Sequence, residues 1–461
     1  MSNTNNKIIK LKDNTKHGRL INIKENISEE DIVSIKEIAG KTISNVKDNI
    51  IIFPNSIKGS KDLEEDSRIF DIINDSLVTN NIMGFISYNN TQIKISSRFA
   101  VNDNEDYFLH YMLMKVLSLN IVNLEHSKDY DDSFDFLIYM FISFFKKALR
   151  QGLFKQYKLI KHNDTNVKGS IDINRYIKNN IPFNGKISYN TREYSYDNNI
   201  MQLIRHTIEY INTKNRYILS YDSEIKNYVQ QIFYSTSSYE RNKRESIINK
   251  NLKKLSHPYY YEYEPLRKIC IQILRHEKLK YGSNDNTVYG LLFDGAWLFE
   301  EYLNTFLSKE NFIHTENKIG RKSLYLLDNN KWKIYPDFYK LSDENNIVLD
   351  AKYKNLDNVN KEDGDSIQRE DRLQIISYAY TLNAKKAGFI YPLEELNYTD
   401  ANKITRIGVL NNAYNSYADC GIYKYVLKIP STKSNGEYFQ NIKEFAEVMK
   451  GIEDELIKVL K

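Results

Sequence analysis

The stretch that decides the fold runs from Ile334 to Lys354 and reads IYPDFYKLSDENNIVLDAKYK. Its apolar run at 347–349 predicts a buried strand that leads directly into Asp350. Because side chains two residues apart in a strand point to the same face, Asp350 and Lys352 should project together. Asp337 lies near the start of the preceding strand. A short polar turn makes the two strands antiparallel, which can bring Asp337 close to Asp350.

Two carboxylates and one lysine at a strand end suit a hard divalent cation. Mg²⁺ prefers oxygen ligands, usually one or two carboxylates, and keeps several waters, so Asp337 and Asp350 are candidate metal ligands. A bound metal lowers the pKa of a water and offsets the charge that builds on a scissile phosphate. Lys352 could orient or deprotonate that water, or hold the phosphate. The pattern is the PD…(D/E)xK arrangement of many nucleases and predicts metal-dependent phosphodiester hydrolysis.

The residues around Asp350-Ala351-Lys352 make this triplet significant as a nuclease motif. A D/E-x-K triplet alone should occur by chance roughly six times in a chain this charged and would mean nothing. The alternative is a surface ion pair between Asp350 and Lys352 on an edge strand, which would contribute little to stability. The apolar run before Asp350 is instead typical of a central strand, at whose end acidic residues serve no packing purpose.

The helix predicted over 294–307 offers a third carboxylate. Glu300 lies on this helix, which precedes the strands, and could ligate the metal together with the two aspartates. Glu301 is its neighbour and could be the residue that faces the site instead. The sequence leaves this choice open.

The helix predicted over 366–383 carries further candidates. Gln374 and Tyr378 are four residues apart and therefore share a face. Their amide and phenol groups could contact metal-bound water or the DNA backbone, and Lys354 is a further candidate for a DNA contact. The alternative for Tyr378 is that it belongs to the core.

Composition excludes several classes of protein. The 461 residues include 65 Lys and Arg against 60 Asp and Glu, a net charge of +5 that permits nucleic-acid binding without requiring it. The longest apolar stretch, at 136–145, is about half as long as a bilayer-crossing helix, so we expect no membrane partner. The first residues show no apolar leader, and we expect a cytoplasmic protein. Cys270 and Cys420 are too few for a disulfide framework, a structural zinc site or a four-cysteine cluster.

The order of predicted elements indicates more than one domain. Residues 1–270 predict an α+β N-terminal region of β-hairpins and helices, with a possible split near 128. One hairpin is predicted over 82–99, with an Asn-rich turn. Residues 286–461 predict an α/β domain of the PD-(D/E)xK restriction-endonuclease-like class, since a helix, a strand meander, a helix and a strand follow one another there.

One motif argues against nucleotide binding by this chain. Gly40-Lys41-Thr42 ends like a phosphate-binding loop, but Ile35 occupies the position of the required first glycine. The segment before it also predicts a helix instead of a strand. We therefore expect no NTP to bind this chain itself, and assign such binding to a partner.

Taken together, these motifs resemble the McrC family, the nuclease subunit of McrBC-type modification-dependent restriction systems. The resemblance spans about 80 to 400 and is most specific in the nuclease motifs. It departs at Ser97-Arg98, where the family usually has Pro-Lys, and in a polar helical insert at 221–256 that is long. The residues that carry it are Leu298-Phe299-Glu300, Tyr335-Pro336-Asp337, 350–354, Asp371-x-x-Gln374-x-x-x-Tyr378, 390–392, and in the N-terminal part 84–86, 93–95, 167–172 and 193–203.

The resemblance implies a division of labour. A separate McrB-like AAA+ GTPase would form a ring and read the modified base, while the McrC-like chain would dock on it through the N-terminal region and cut DNA. Asp337, Asp350 and Glu300 would ligate Mg²⁺, with two metal positions possible. Lys352 would assist the water and Gln374 would complete the site.

Two other functions remain open from the sequence. The chain could be a non-catalytic subunit that binds DNA or activates a motor, but intact Asp337, Asp350 and Lys352 argue against a decayed site. It could also be a free-standing RecB-like exonuclease, a group that also carries Q-x-x-x-Y. The large N-terminal region, without motor motifs or iron–sulfur ligands, argues against that alternative.

Overall fold

The chain divides into two compact units. One unit combines Met1–Ser133 with Leu279–Lys461, and the other is Phe134–Lys278. The computed structural model describes residues 8–19, 28–46, 50–53, 68–89, 91–100, 106–117, 132–214, 218–220, 222–279, 288–315, 322–342, 345–354, 367–399, 403–410, 420–430 and 442–460. Within these ranges, no helix has both the length and the hydropathy needed to cross a bilayer.

The N-terminal part of the first unit consists of short strands and helices. Its strands are β1 (Ile8–Lys12), β2 (Lys16–Arg19), β3 (Ile50–Phe53), β4 (Phe70–Ile73), β5 (Ser76–Thr79), β6 (Ile82–Tyr88) and β7 (Thr91–Ser96), and its helices are α1 (Glu29–Ala39), α2 (Ile43–Val46) and α3 (Tyr107–Val116). The hairpin predicted over 82–99 is present, since β6 and β7 pair antiparallel. Asn89 supplies the left-handed turn residue with φ of 51°.

The second unit is mostly helical and has a small sheet. Its elements are α4 (Asp132–Arg150), β8 (Gln156–Asp164), β9 (Ser170–Ile171), α5 (Ile173–Asn180), β10 (Ile187–Ser195), α6 (Asn199–Lys214), α7 (Ser223–Ser235), α8 (Arg244–Lys250) and α9 (Tyr263–Leu279). The strands form an antiparallel sheet in the order β8-β10-β9. The polar insert at 221–256 corresponds to the segment that contains α7 and α8.

The C-terminal part of the first unit carries the decisive stretch. Its elements are β11 (Tyr289–Asp294), α10 (Gly295–Leu307), β12 (Ile313–His314), β13 (Leu324–Tyr325), β14 (Lys333–Ile334), β15 (Phe338–Lys340), β16 (Ile347–Ala351), α11 (Arg369–Thr381), β17 (Lys386–Glu394), β18 (Ile404–Val409), β19 (Gly421–Ile429) and α12 (Ile442–Leu460). The start predicted for α11 at 366 lies outside the described residues.

A six-stranded mixed sheet positions the candidate site. Its strand order is β12-β15-β16-β17-β19-β18, with β16 antiparallel to β15 and parallel to β17. Every residue of β16 is buried, so the prediction of a central strand is confirmed. Helix α11 packs on β16 and β17, and α10 also contacts β16. Both helices that carry candidate residues therefore lie against the strand that carries Asp350.

The grouping of segments differs from the predicted one. Strand β11 lies between β6 and β3 in a five-stranded sheet, so a strand from beyond residue 286 completes the N-terminal sheet. The units change at 133/134 and 278/279, whereas we predicted one region over 1–270 with a possible split near 128, a point outside the described residues. Strand pairing across some 200 residues has no local sequence signal, which explains the difference. The assignment of partner binding to 1–270 stays a prediction.

Candidate active site

The two predicted aspartates lie side by side at the end of β16. β15 pairs with β16 so that Phe338 faces Leu349, and Asp337 immediately precedes β15. The carboxylate Oδ2 of Asp337 accepts a hydrogen bond of 2.7 Å from the backbone N–H of Ala351. Asp350 is 2% exposed and directly precedes Ala351 in β16. The antiparallel pairing of β15 and β16 thus brings the two carboxylates together, as predicted.

The backbone before Asp337 is held by side chains from two neighbouring elements. Residues 335–337 separate β14 from β15, so Asp337 lies just before the strand instead of near its start. Three consecutive carbonyl oxygens accept hydrogen bonds: Tyr335 O from Tyr378 Oη at 3.0 Å, Pro336 O from Thr315 Oγ1 at 2.6 Å, and Asp337 O from His314 Nδ1 at 2.8 Å. These bonds fix the direction in which the Asp337 carboxylate points.

Lys352 occupies a ring of oxygen atoms. Its Nζ lies 2.6 Å from Asp350 Oδ2, 3.0 Å from Asp371 Oδ1 and 3.4 Å from Gln374 Oε1. Burial alone would lower the pKa of Lys352, but the negative charges of Asp350 and Asp337 outweigh it and raise that pKa. Lys352 is therefore an ammonium ion at neutral pH, with its direction set by three partners.

Asp371 is also a site residue, although we named it from the sequence only as part of the motif that resembles the family. Its carboxylate contacts Lys352 through one oxygen and Lys354 through the other, the latter at 2.9 Å. Burial would raise the pKa of Asp371, yet hydrogen bonds and charge from the two lysines lower it overall. Its spacing of three residues from Gln374 on a helix was the signal that both share a face.

Asp350 is costly to ionise in the absence of a cation. Burial first, and then the negative charge of Asp337, raise the pKa of Asp350 to about 7, with Lys352 opposing them. Oδ2 of Asp350 lies 2.6 Å from the ammonium of Lys352, which offsets part of this cost. Two neighbouring buried carboxylates suit a ligand that brings further positive charge.

The donor set fits a magnesium ion that is held only partly by protein. Asp337 and Asp350 provide two neighbouring carboxylates, which is the usual protein contribution to a Mg²⁺ site. Over the ranges that the structure describes, no three His, Cys, Asp or Glu side chains gather closely enough to form a metal site by themselves. The role of Glu300 as a third ligand stays a prediction, and water or phosphate oxygens would fill the remaining positions.

The neighbouring glutamates of α10 take different places. Glu300 is buried, on a helix that packs against β16. Glu301 lies with Oε1 3.5 Å from Nε2 of His314, the histidine that holds the carbonyl of Asp337. Glu301 thus supports the histidine that holds the backbone of Asp337, and Glu300 is the more buried member of the pair.

Gln374 and Tyr378 form a connected pair on one face of α11, as their spacing predicts. The amide Nε2 of Gln374 donates to Tyr378 Oη at 2.6 Å, while its carbonyl oxygen faces Lys352. Tyr378 is 4% exposed and packs in a hydrophobic cluster, and its hydroxyl is engaged with Tyr335 O. This place differs from the predicted DNA contact, because a ring packed in the core cannot reach a bound duplex. Its role is to hold the backbone before Asp337.

Lys354 has a place that is open to solvent. Its side chain is 44% exposed and contacts Asp371 at 2.9 Å and Gln368 Oε1 at 3.1 Å. An ammonium group at the rim of the site can reach a phosphate oxygen by leaving a partly exposed ion pair, which is a weak interaction. Its predicted contact with DNA stays a prediction.

Comparison with known proteins connects this site to a family. A family model described as "McrBC 5-methylcytosine restriction system component" matches residues 77–392. No curated protein matches. A chain of the refined half-complex from a tetradecameric assembly of Thermococcus gammatolerans McrB AAA+ hexamers with bound McrC is 14% identical with a TM-score of 0.49, covering 97% of this chain and 100% of the other. A chain of the cryo-EM structure of the Thermococcus gammatolerans McrBC complex is 12% identical with a TM-score of 0.31, covering 66% and 88%. Because the family model spans more than half of the sequence, the chain belongs to the family of McrBC 5-methylcytosine restriction system components.

Proposed function

We propose that this chain is the McrC-type subunit of a GTP-dependent restriction system and cuts DNA as a Mg²⁺-dependent endonuclease. The observation that carries the proposal is the meeting of Asp337, Asp350 and Lys352 at the end of β16, with Lys352 Nζ 2.6 Å from Asp350 Oδ2. Membership of the McrBC family supports the restriction context.

The residues of the site would divide the chemistry between them. Asp337 and Asp350 would hold the metal, with Glu300 as a further candidate ligand, and a bound Mg²⁺ supplies Lewis acidity toward water and phosphate. Lys352 would donate hydrogen bonds to the phosphate and offset the charge that develops on it, since its raised pKa keeps it protonated. The same protonation argues against Lys352 as the base. Gln374 would hold the ammonium in place.

A partner would control the cut. The chain belongs to a family of McrBC restriction system components, and its resemblance to McrC implies an AAA+ GTPase partner. We expect this GTPase, encoded near this chain, to recognise the DNA and to bind this subunit through its N-terminal region. In this proposal the substrate is DNA, and the complex acts in the cytoplasm.

The test is cleavage by the purified complex. Wild-type chain, the AAA+ GTPase partner, GTP and Mg²⁺ should cut DNA, while Asp350→Ala should reduce cutting at least 100-fold without disturbing the complex. Asp454→Ala, at an exposed position of α12, is the matched control and should cut normally.

Two outcomes would replace the proposal. Normal cutting by the Asp350→Ala complex would remove the site assignment and leave a subunit that binds DNA or activates a motor. Free cutting by the wild-type chain without partner or GTP would favour a RecB-like exonuclease.

A further inference from the structure

The residue between the two site lysines points away from the site and into the N-terminal sheet. Tyr353 follows Lys352 just beyond the end of β16, and its hydroxyl lies 3.4 Å from the sulfur of Met83 in β6. The ring is buried, with an edge contact to Phe99 at a centroid distance of 5.2 Å and a tilted contact to Phe299 at 5.7 Å. A Cβ on Gly295 would come within 2.9 Å of the ring, so the fit there is tight.

Arg98 contacts both the ring and the backbone of this tyrosine. Its guanidinium lies over the ring of Tyr353, 4.8 Å from the centroid, and its Nη1 donates to the backbone oxygen of Tyr353 at 3.1 Å. The preceding residue, Ser97, places its Oγ 2.8 Å from Tyr353 Oη. One dipeptide after β7 thus contacts the ring, the hydroxyl and the carbonyl of the residue that separates Lys352 from Lys354.

The guanidinium itself is fixed by the N-terminal sheet. Its Nη2 lies 2.6 Å from Oδ2 of Asp13, directly after β1, and also bonds Oδ1 of Asn81. The backbone N–H of Arg98 donates to the other oxygen of Asp13. Asp13 is fully buried and Arg98 is 8% exposed in its side chain, so this pair is shielded from water and holds its geometry.

Hydrogen bonds from several residues hold the backbone that follows β16, and Arg98 donates one of them. β16 ends at Ala351, and beyond it Lys352 N–H donates to Ile390 O at 2.9 Å and Lys354 N–H donates to Lys352 O at 2.9 Å. Between these two lysines, Nη1 of Arg98 donates to the backbone oxygen of Tyr353. The ammonium of Lys352 depends on this backbone for its approach to Asp350.

We propose that Arg98 is a positioning residue: by holding the ring and carbonyl of Tyr353 against the N-terminal sheet, it places Lys352 in the nuclease site. The inference rests on the proposed function and adds a residue that touches neither metal nor DNA. It also gives the N-terminal sheet a part in the chemistry, since Asp13 and Asn81 set the direction of the guanidinium.

The test uses the complete complex and separates rate from folding. Arg98→Met combined with Asp13→Asn removes both buried charges together and so avoids an unpaired carboxylate. We expect its cleavage rate to fall about 10- to 100-fold, because a displacement of about 1 Å can cost that much. DNA affinity and melting temperature should stay near those of the wild type. Arg98→Lys keeps a positive charge beside Asp13 but loses the stacking on Tyr353 and the forked guanidinium donors. Its cleavage rate should lie between those of the double variant and the wild type.

The results that would overturn the inference are distinct from those that overturn the nuclease proposal. A folded double variant that cuts at the wild-type rate would show that Arg98 does not position Lys352, while the Asp350→Ala result still stands. A rate that falls only in proportion to lost folded protein or lost DNA binding would assign Arg98 a purely structural role. If the double variant does not fold, Arg98→Lys decides, since an unchanged rate in that variant would overturn the inference.

Discussion

A buried carboxylate on α12 gives a graded prediction about stability. Oε1 of Glu453 accepts hydrogen bonds from Tyr111 Oη at 2.8 Å and from Tyr302 Oη at 2.9 Å. Its Oε2 lies 2.9 Å from Nζ of Lys115, whose side chain is 28% exposed. One carboxylate oxygen therefore accepts hydrogen bonds from two buried hydroxyls, on α3 and α10. The other oxygen pairs with a lysine whose ammonium group can reach solvent.

The two halves of this arrangement can be separated by substitution. Glu453→Ala leaves two buried hydroxyls without their acceptor, and at about 1–3 kcal/mol each the free energy of unfolding should fall by about 2–6 kcal/mol. Glu453→Gln can keep an oxygen at the Oε1 position and loses only the partly exposed ion pair with Lys115. That loss should lower the free energy of unfolding by about 0.5–1 kcal/mol.

Urea denaturation followed by circular dichroism measures both effects. Glu455→Ala is the matched control, because this neighbour on α12 is exposed and pairs only at the surface, with Lys403 at 2.9 Å. Its unfolding free energy should lie within about 0.5 kcal/mol of the wild type. Equal losses for Glu453→Ala and Glu453→Gln would refute the reasoning, since the charge and not the shared acceptor would then matter.

Two further predictions concern the site. Without divalent metal, Asp350→Asn should be more stable than the wild type at pH 8, because burial and Asp337 raise the pKa of Asp350 to about 7. The stability advantage of Asp350→Asn should shrink as the pH falls from about 7 toward 4, because Asp350 of the folded wild type becomes protonated over this range. Melting temperatures measured against pH in EDTA would show this trend. A difference in stability that does not change with pH would argue against the raised pKa. Tyr378→Phe should leave DNA affinity unchanged, because the ring is buried, and should lower the unfolding free energy by about 1–3 kcal/mol through the lost hydrogen bonds to Tyr335 O and from Gln374 Nε2. A large loss of DNA affinity in this variant would restore the predicted DNA contact.

The core of the site could be predicted because its signals are local. The apolar run of β16 and the hairpin before it lie within 21 consecutive residues, and strand alternation places Asp350 with Lys352. The turn at Asn89 and the shared face of Gln374 and Tyr378 are local in the same sense. Each follows from the period of one strand or one helix.

The remainder depends on contacts between distant segments. Nothing near Arg98 indicates that it meets Tyr353, 255 residues away. The insertion of β11 into the N-terminal sheet is equally non-local. Local periodicity likewise leaves Glu300 and Glu301 equivalent, and the position of His314 beside Glu301 distinguishes them. Burial of Tyr378 follows from how α11 packs on the sheet, which its sequence alone does not fix.

The most direct test of the central claim is the position of a divalent ion in crystals of the chain soaked in Mn²⁺. Mn²⁺ accepts the same oxygen ligands as Mg²⁺ and gives an anomalous signal. The account predicts a difference peak within ligand distance of both Asp337 and Asp350, absent from crystals of Asp350→Ala. A Mn²⁺ peak elsewhere, or the same peak in the variant, would contradict the claim that these two carboxylates form the metal site of a nuclease.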